Sequence, residues 1–71
     1  MIVYDKLWKT MTEKGVTTYA LRFKNNISNA TIQRLKKNMH VSTYTLNNLC
    51  RILDCPLYEI AEYIPDIPDQ E

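Results

Sequence analysis

The side chains best suited to chemistry in this sequence are amides and cations, not nucleophiles. At 100° per residue, Ala30, Gln33, Arg34 and Lys37 fall on one side of a helix while Ile32 and Leu35 fall on the other. A small residue, an amide and two cations on one face suit a helix laid against a polyanion, and a solvated surface helix presents the same pattern. Other chemistries have less support. His40 is the only histidine, it falls in a loop, and nothing sets a nucleophile and an orienting third group beside it, so an enzyme is the least expected class. Cys50, Cys55 and His40 lack metal-ligand spacing and form no Cys-x-x-Cys pair, so neither metal nor cofactor is expected. With Gly15 as its sole glycine, the chain has no glycine loop to cradle a phosphate.

The elements that would position this face are marked by their caps. Ser28 is a good N-cap, and Ile27 before it with Ile32 after it forms a hydrophobic staple that sets the angle at which the chain enters the helix. Thr17 or Thr18 caps the preceding helix, which runs through Leu21 and Phe23 to about Asn25. Asn26 takes the sharp turn, since asparagine tolerates positive φ better than most residues. Two short helices joined so tightly must cross at a large angle, as in a helix-turn-helix unit.

Around this pair the pattern predicts three more helices. Val3, Tyr4, Leu7, Trp8 and Met11 recur at helical spacing in the first, which Gly15 ends, with Lys14 complementing the dipole of its last turn. After a loop at residues 39–41, Ser42 caps a helix carrying Leu46, Leu49, Cys50 and Leu53. Pro56 is placed as the first residue of a fifth short helix carrying Leu57, Ile60, Ala61 and Ile64. The expected fold is an all-α, compact five-helix bundle over residues 1–64. Residues 65–71, with Pro65 and Pro68, form an acidic tail without periodicity that is expected to be flexible.

Length and charge narrow the class. A chain of 71 residues makes one domain; at about 60% burial of its unfolded surface it holds one modest core and no large catalytic cleft. Two cysteines do not indicate a disulfide framework, and a reduced, cytoplasmic protein is expected. No apolar run approaches the roughly 20 residues that span a membrane, and Asp5 and Trp8 do not fit a signal peptide. Residues 1–53 carry all nine cations against Asp5 and Glu13, a balance of +7, whereas residues 54–71 carry six acids and no cation, −6. That asymmetry points to a nucleic-acid-facing body with an acidic tail, and charge blocks also serve solubility alone.

From Thr17 to Ile60 the sequence resembles the helix-turn-helix family of phage repressors and Cro proteins, also called XRE-like. The resemblance rests on Asn26-Ile27-Ser28, Thr31-Ile32, Asn38, Ser42-Thr43-Tyr44-Thr45-Leu46, Leu53 and Leu57-Tyr58-Glu59-Ile60, and on their joint spacing. Three positions depart from the family pattern: Arg22 stands where a small residue is usual, Asn26 replaces the turn glycine, and Lys36 replaces an acid.

The resemblance implies a transcriptional regulator, a repressor by expectation, that places a recognition helix at about 29–37 in the major groove of double-stranded DNA. Ser28, Asn29, Ala30, Thr31, Gln33 and Arg34 are then the candidates for base contact. Asn29 and Gln33 can pair bidentately with adenine, Arg34 with guanine, and Ala30 can meet a thymine methyl group. Thr31 points more sideways, so a phosphate or capping role is equally open to it. Phosphate contacts are expected from Thr17, Thr18, Lys24, Lys36, Lys37, Asn38, Ser42, Thr43 and Tyr44.

A homodimer on a pseudo-palindromic operator is the companion expectation, through residues 1–3 with Tyr58, Tyr63, Ile64 and Ile67, unless these close the monomer core instead. No membrane or small-molecule partner is implied. The alternative is a helix-turn-helix protein-interaction module, antirepressor or antitoxin-like, without sequence-specific DNA binding.

Overall fold

A short two-stranded ribbon brackets the helices. Strand β1 (Ile2–Val3) pairs antiparallel with β2 (Glu62–Tyr63), Ile2 opposite Tyr63 and Val3 opposite Glu62. Between them lie α1 (Asp5–Lys14), α2 (Thr18–Phe23), α3 (Asn29–Lys36), α4 (Thr43–Leu53) and a 3-10 turn at Leu57–Glu59. The computed structural model describes residues 1–66, so residues 67–71 of the expected tail, with Ile67, lie outside the described residues.

Two expectations are corrected here. Four α-helices form, not five. Pro56 is extended (φ −74°, ψ 162°) and precedes a three-residue 3-10 turn, after which the chain returns as β2. Leu57 is left 53% exposed and Ile64 falls beyond the strand, while Ile60 alone of the predicted apolar face is fully buried. Three residues after a proline cannot build an amphipathic helix, and pairing with β1 draws Glu62 and Tyr63 into a strand. The first helix likewise starts only at Asp5, because Val3 is held in β1 and Tyr4 occupies the N-cap position.

The other signals act where their residue types predict. Thr17, Ser28 and Ser42 each accept a hydrogen bond from the backbone N–H three residues on, which satisfies an otherwise free donor of the first turn. Of the two threonines, Thr17 is the cap, and α2 stops at Phe23, about two residues short of expectation. Gly15, Asn26, Asn38 and Asp54 take positive φ at the helix ends and turn. Tyr4, Leu7, Met11, Leu21, Ile27, Ile32, Leu35, Leu49, Leu53 and Ile60 make one buried cluster.

Long-range hydrogen bonds then tie the helices to that cluster. The Thr10 hydroxyl donates to the Glu59 carbonyl at 2.8 Å, joining α1 to the 3-10 turn. Asn38 Oδ1 accepts the Tyr4 N–H at 2.9 Å, and the Tyr4 hydroxyl donates to the Met39 carbonyl at 3.1 Å. Thus the start of α1 is fastened to the end of α3. Val3 is 5% exposed and closes the monomer core, so it is removed from the expected dimer contact.

Candidate nucleic-acid interface

Helix α3 is anchored from behind. Ile32 and Leu35 are buried, and Ile27, just before the cap, is buried with them. The cap is a closed pair: Ser28 Oγ accepts the Thr31 N–H at 3.1 Å and donates to Thr31 Oγ1 at 2.9 Å. Asn29, Ala30, Gln33, Arg34, Lys36 and Lys37 are all exposed, while Thr31 is half-buried. Among the described residues, no carboxylate pairs with Arg34, Lys36 or Lys37; the ion pairs present are the N-terminal ammonium with Asp66 and Lys6 with Glu62. Among the described residues the outer face of α3 therefore keeps its positive charge unneutralised.

Two grooves flank this helix and connect it to other candidate residues. Between α3 and the start of α4, Thr31 and Arg34 line a groove of about 310 Å³ with His40, Val41, Ser42 and Thr45. On the α2 side, Asn29 and Lys36 share a hollow of about 230 Å³ with Thr18, Tyr19, Arg22 and Phe23. Arg22 thus does lie beside α3, at the register where a small residue is usual. Its guanidinium sits 4.7 Å from the centre of the Phe23 ring.

The remaining candidates divide by how free their polar groups are. Thr43, Tyr44 and Lys24 are exposed, and Ser42 Oγ is engaged with Thr45 N–H and Thr45 Oγ1. Thr17 Oγ1 accepts the Ala20 N–H, and Thr18 is half-buried beside it. Asn38 is committed through Oδ1 to Tyr4, which leaves its Nδ2 amide group as the donor. Three groups were not singled out by sequence: Thr45, and the exposed Tyr19 and Phe23, whose rings lie 4.8 Å apart on α2. The i, i+4 spacing of two aromatic residues away from the Leu21 side was the available signal.

The described residues hold no helix long and apolar enough to cross a membrane, and no cluster of three or more metal-binding side chains. A family model described as the Cro/C1-type HTH DNA-binding domain matches residues 6–66. The chain is also similar to a protein whose crystal structure is described as transcriptional regulator VanUg, Form II. The two share 32% identity and a TM-score of 0.83, over 92% of this chain and 87% of that one. No curated protein sequence matches.

Proposed function

This chain belongs to the Cro/C1-type helix-turn-helix DNA-binding family, and from that premise we propose that it is a transcriptional regulator, acting as a repressor, that reads double-stranded DNA by sequence with α3 in the major groove. One observation carries the reading: α3 is buried through Ile32 and Leu35, yet presents Asn29, Ala30, Gln33 and Arg34 together on an exposed face with no carboxylate partner among the described residues. Gln33 and Arg34 are the residues assigned most of the discrimination, because bidentate pairing distinguishes bases that a point charge cannot. Ser28 and Thr31 support the reading helix through their mutual cap. Thr17, Thr18, Lys24, Lys36, Lys37, Asn38, Ser42, Thr43 and Tyr44 position the domain on phosphates.

Binding two half-sites about 10 base pairs apart would supply the surface that one short helix lacks. Met1, Ile2, Tyr58, Tyr63 and Ile64 are exposed and are the proposed dimer contact. Residues 65–71 are proposed as an acidic tail, distinct from the domain of residues 1–64, that screens the basic face.

Enrichment from a random duplex pool tests the central claim. A recovered motif whose binding is lost in the Gln33→Ala, Arg34→Ala variant, with the helical circular dichroism kept, is the expected result. For about four to six neutralised phosphates, log K should fall against log salt with a slope of roughly −4 to −5. A salt-independent affinity contradicts the reading.

The second reading, a protein-interaction module, draws on a specific feature: Tyr19 and Phe23 are 65% and 59% exposed on α2. Failure of any sequence to enrich would transfer the function to that aromatic face.

A further inference from the structure

Helix α4 ends in a pair of backbone bonds that bring its two cysteines together. The Cys55 N–H donates to the Cys50 carbonyl at 3.1 Å, the Asp54 N–H donates to the Arg51 carbonyl at 3.4 Å, and Asp54 takes φ 50° between them. This is a Schellman cap, a motif that frequently sets the side chains at these two positions, here Cys50 and Cys55, against each other. Both thiols are free, both are half-buried, and both pack against the same core cluster. The 3.1 Å bond from the Cys55 N–H to the Cys50 carbonyl holds the two Cα atoms within about 7 Å of each other, the neighbourhood in which a disulfide can close.

We propose that Cys50 and Cys55 form an oxidisable dithiol, a modification site at which a peroxide-class oxidant closes an intramolecular disulfide across the end of α4. The stoichiometry is two thiols and one hydrogen peroxide giving one disulfide and two waters. One sulfur, as thiolate, attacks a peroxide oxygen and becomes a sulfenic acid, breaking the O–O bond and releasing the first water. The second sulfur displaces the sulfenic hydroxyl, which leaves as the second water with the remaining thiol proton. Two electrons pass from sulfur to oxygen. Burial pushes the Cys55 thiol up, and the neighbouring Cys50 pushes it further in the same direction. Cys55 thiolate is therefore scarce near neutrality, and attack from that sulfur accelerates as pH rises.

The closed form staples the left-handed Asp54 to the helix it terminates and so fixes the path from α4 into the 3-10 turn. This pair lies apart from the outer face of α3, and the inference does not depend on DNA binding.

The full chain allows a direct test, since trypsin cleaves after Lys37 and Arg51 and so separates Cys50, in peptide 38–51, from Cys55, in peptide 52–71. After hydrogen peroxide treatment, the expected result is a monomeric intact mass lighter by two hydrogens, with the two peptides recovered as one linked species that dithiothreitol divides. The oxidised form should also melt at a higher temperature than the reduced form, a difference absent from Cys50→Ser. Recovery of only sulfenic or sulfinic adducts, or of disulfides between chains, from wild-type protein that retains its helical circular dichroism overturns the proposal.

Discussion

The α2–α3 unit and the terminal ribbon rest on one core but are fastened to it in opposite ways. In α2–α3 the defining bonds are local: Thr17 to Ala20, Ser28 to Thr31, and the Ile27 and Ile32 staple. At the ribbon, Val3 faces Glu62, the Met1 carbonyl accepts the Ile64 N–H at 2.8 Å, and Thr10 holds Glu59. Local bonds need little loop closure, whereas contacts across most of the chain carry a larger closure entropy. This contrast predicts that the outer face of α3 can be substituted without loss of the fold. α3 needs only two inward residues and a cap, so its outer positions are free for chemistry, while the ribbon and 3-10 turn do the closing.

Replacing the anchor of α3 should test that separation most severely. Leu35→Ala removes a fully buried side chain and is expected to cost about 3 kcal/mol, measured by urea unfolding. A loss below about 1 kcal/mol would mean that α3 is not held by the core as described.

Next in size is the long-range bond at the other end. Thr10→Val keeps the shape but leaves the Glu59 carbonyl without its side-chain donor, with an expected loss of about 1–2 kcal/mol. An unchanged thermal midpoint would show that the ribbon end does not depend on this tie.

The local cap is smaller. Ser28→Ala should destabilise by about 1 kcal/mol, and a hydrogen-exchange comparison should place the added opening in the first turn of α3, leaving the ribbon protected. Opening spread evenly over both regions would break the contrast.

Tyr4, which bridges the two regions, gives the smallest effect near neutral pH and a distinct signature in alkali. Tyr4→Phe loses the bond to Met39, at about 0.5–1.5 kcal/mol. Burial raises the Tyr4 phenol above the ordinary value of 10.0 in the folded chain. The protonated phenol is thus favoured by folding, so its contribution is complete below pH 10 and is lost as pH rises through the folded value. Denaturant titrations from neutral pH into the alkaline range should show this loss in the wild type, with the Phe variant lacking the part due to Tyr4.

How much of this was legible depended on the range of the interaction. Ser28, Ser42, Gly15 and Asn26 announce their roles through the backbone chemistry of a few neighbours, and Ile32 and Leu35 through periodicity. The fifth helix failed because Leu57, Ile60, Ala61 and Ile64 fit a helical wheel, while the competing partner, Ile2–Val3, lies some sixty positions away. Asn38 shows the same limit at one residue. Its tolerance of positive φ is a local property, but the engagement of its Oδ1 with Tyr4 depends on two helices meeting.

At the segment that reads as the recognition helix, the sequence alone dictates the cap, the staple, the two buried positions and the polar identity of the outer face, because each is set within about one helical turn. Packing in three dimensions was needed to bring Thr31 and Arg34 into one groove with Ser42, to set Arg22 and Phe23 beside Asn29, and to pair residues 2–3 with residues 62–63 as strands. Those outcomes depend on which distant surfaces are buried together, a choice made by the packed core and not by any local run of residues.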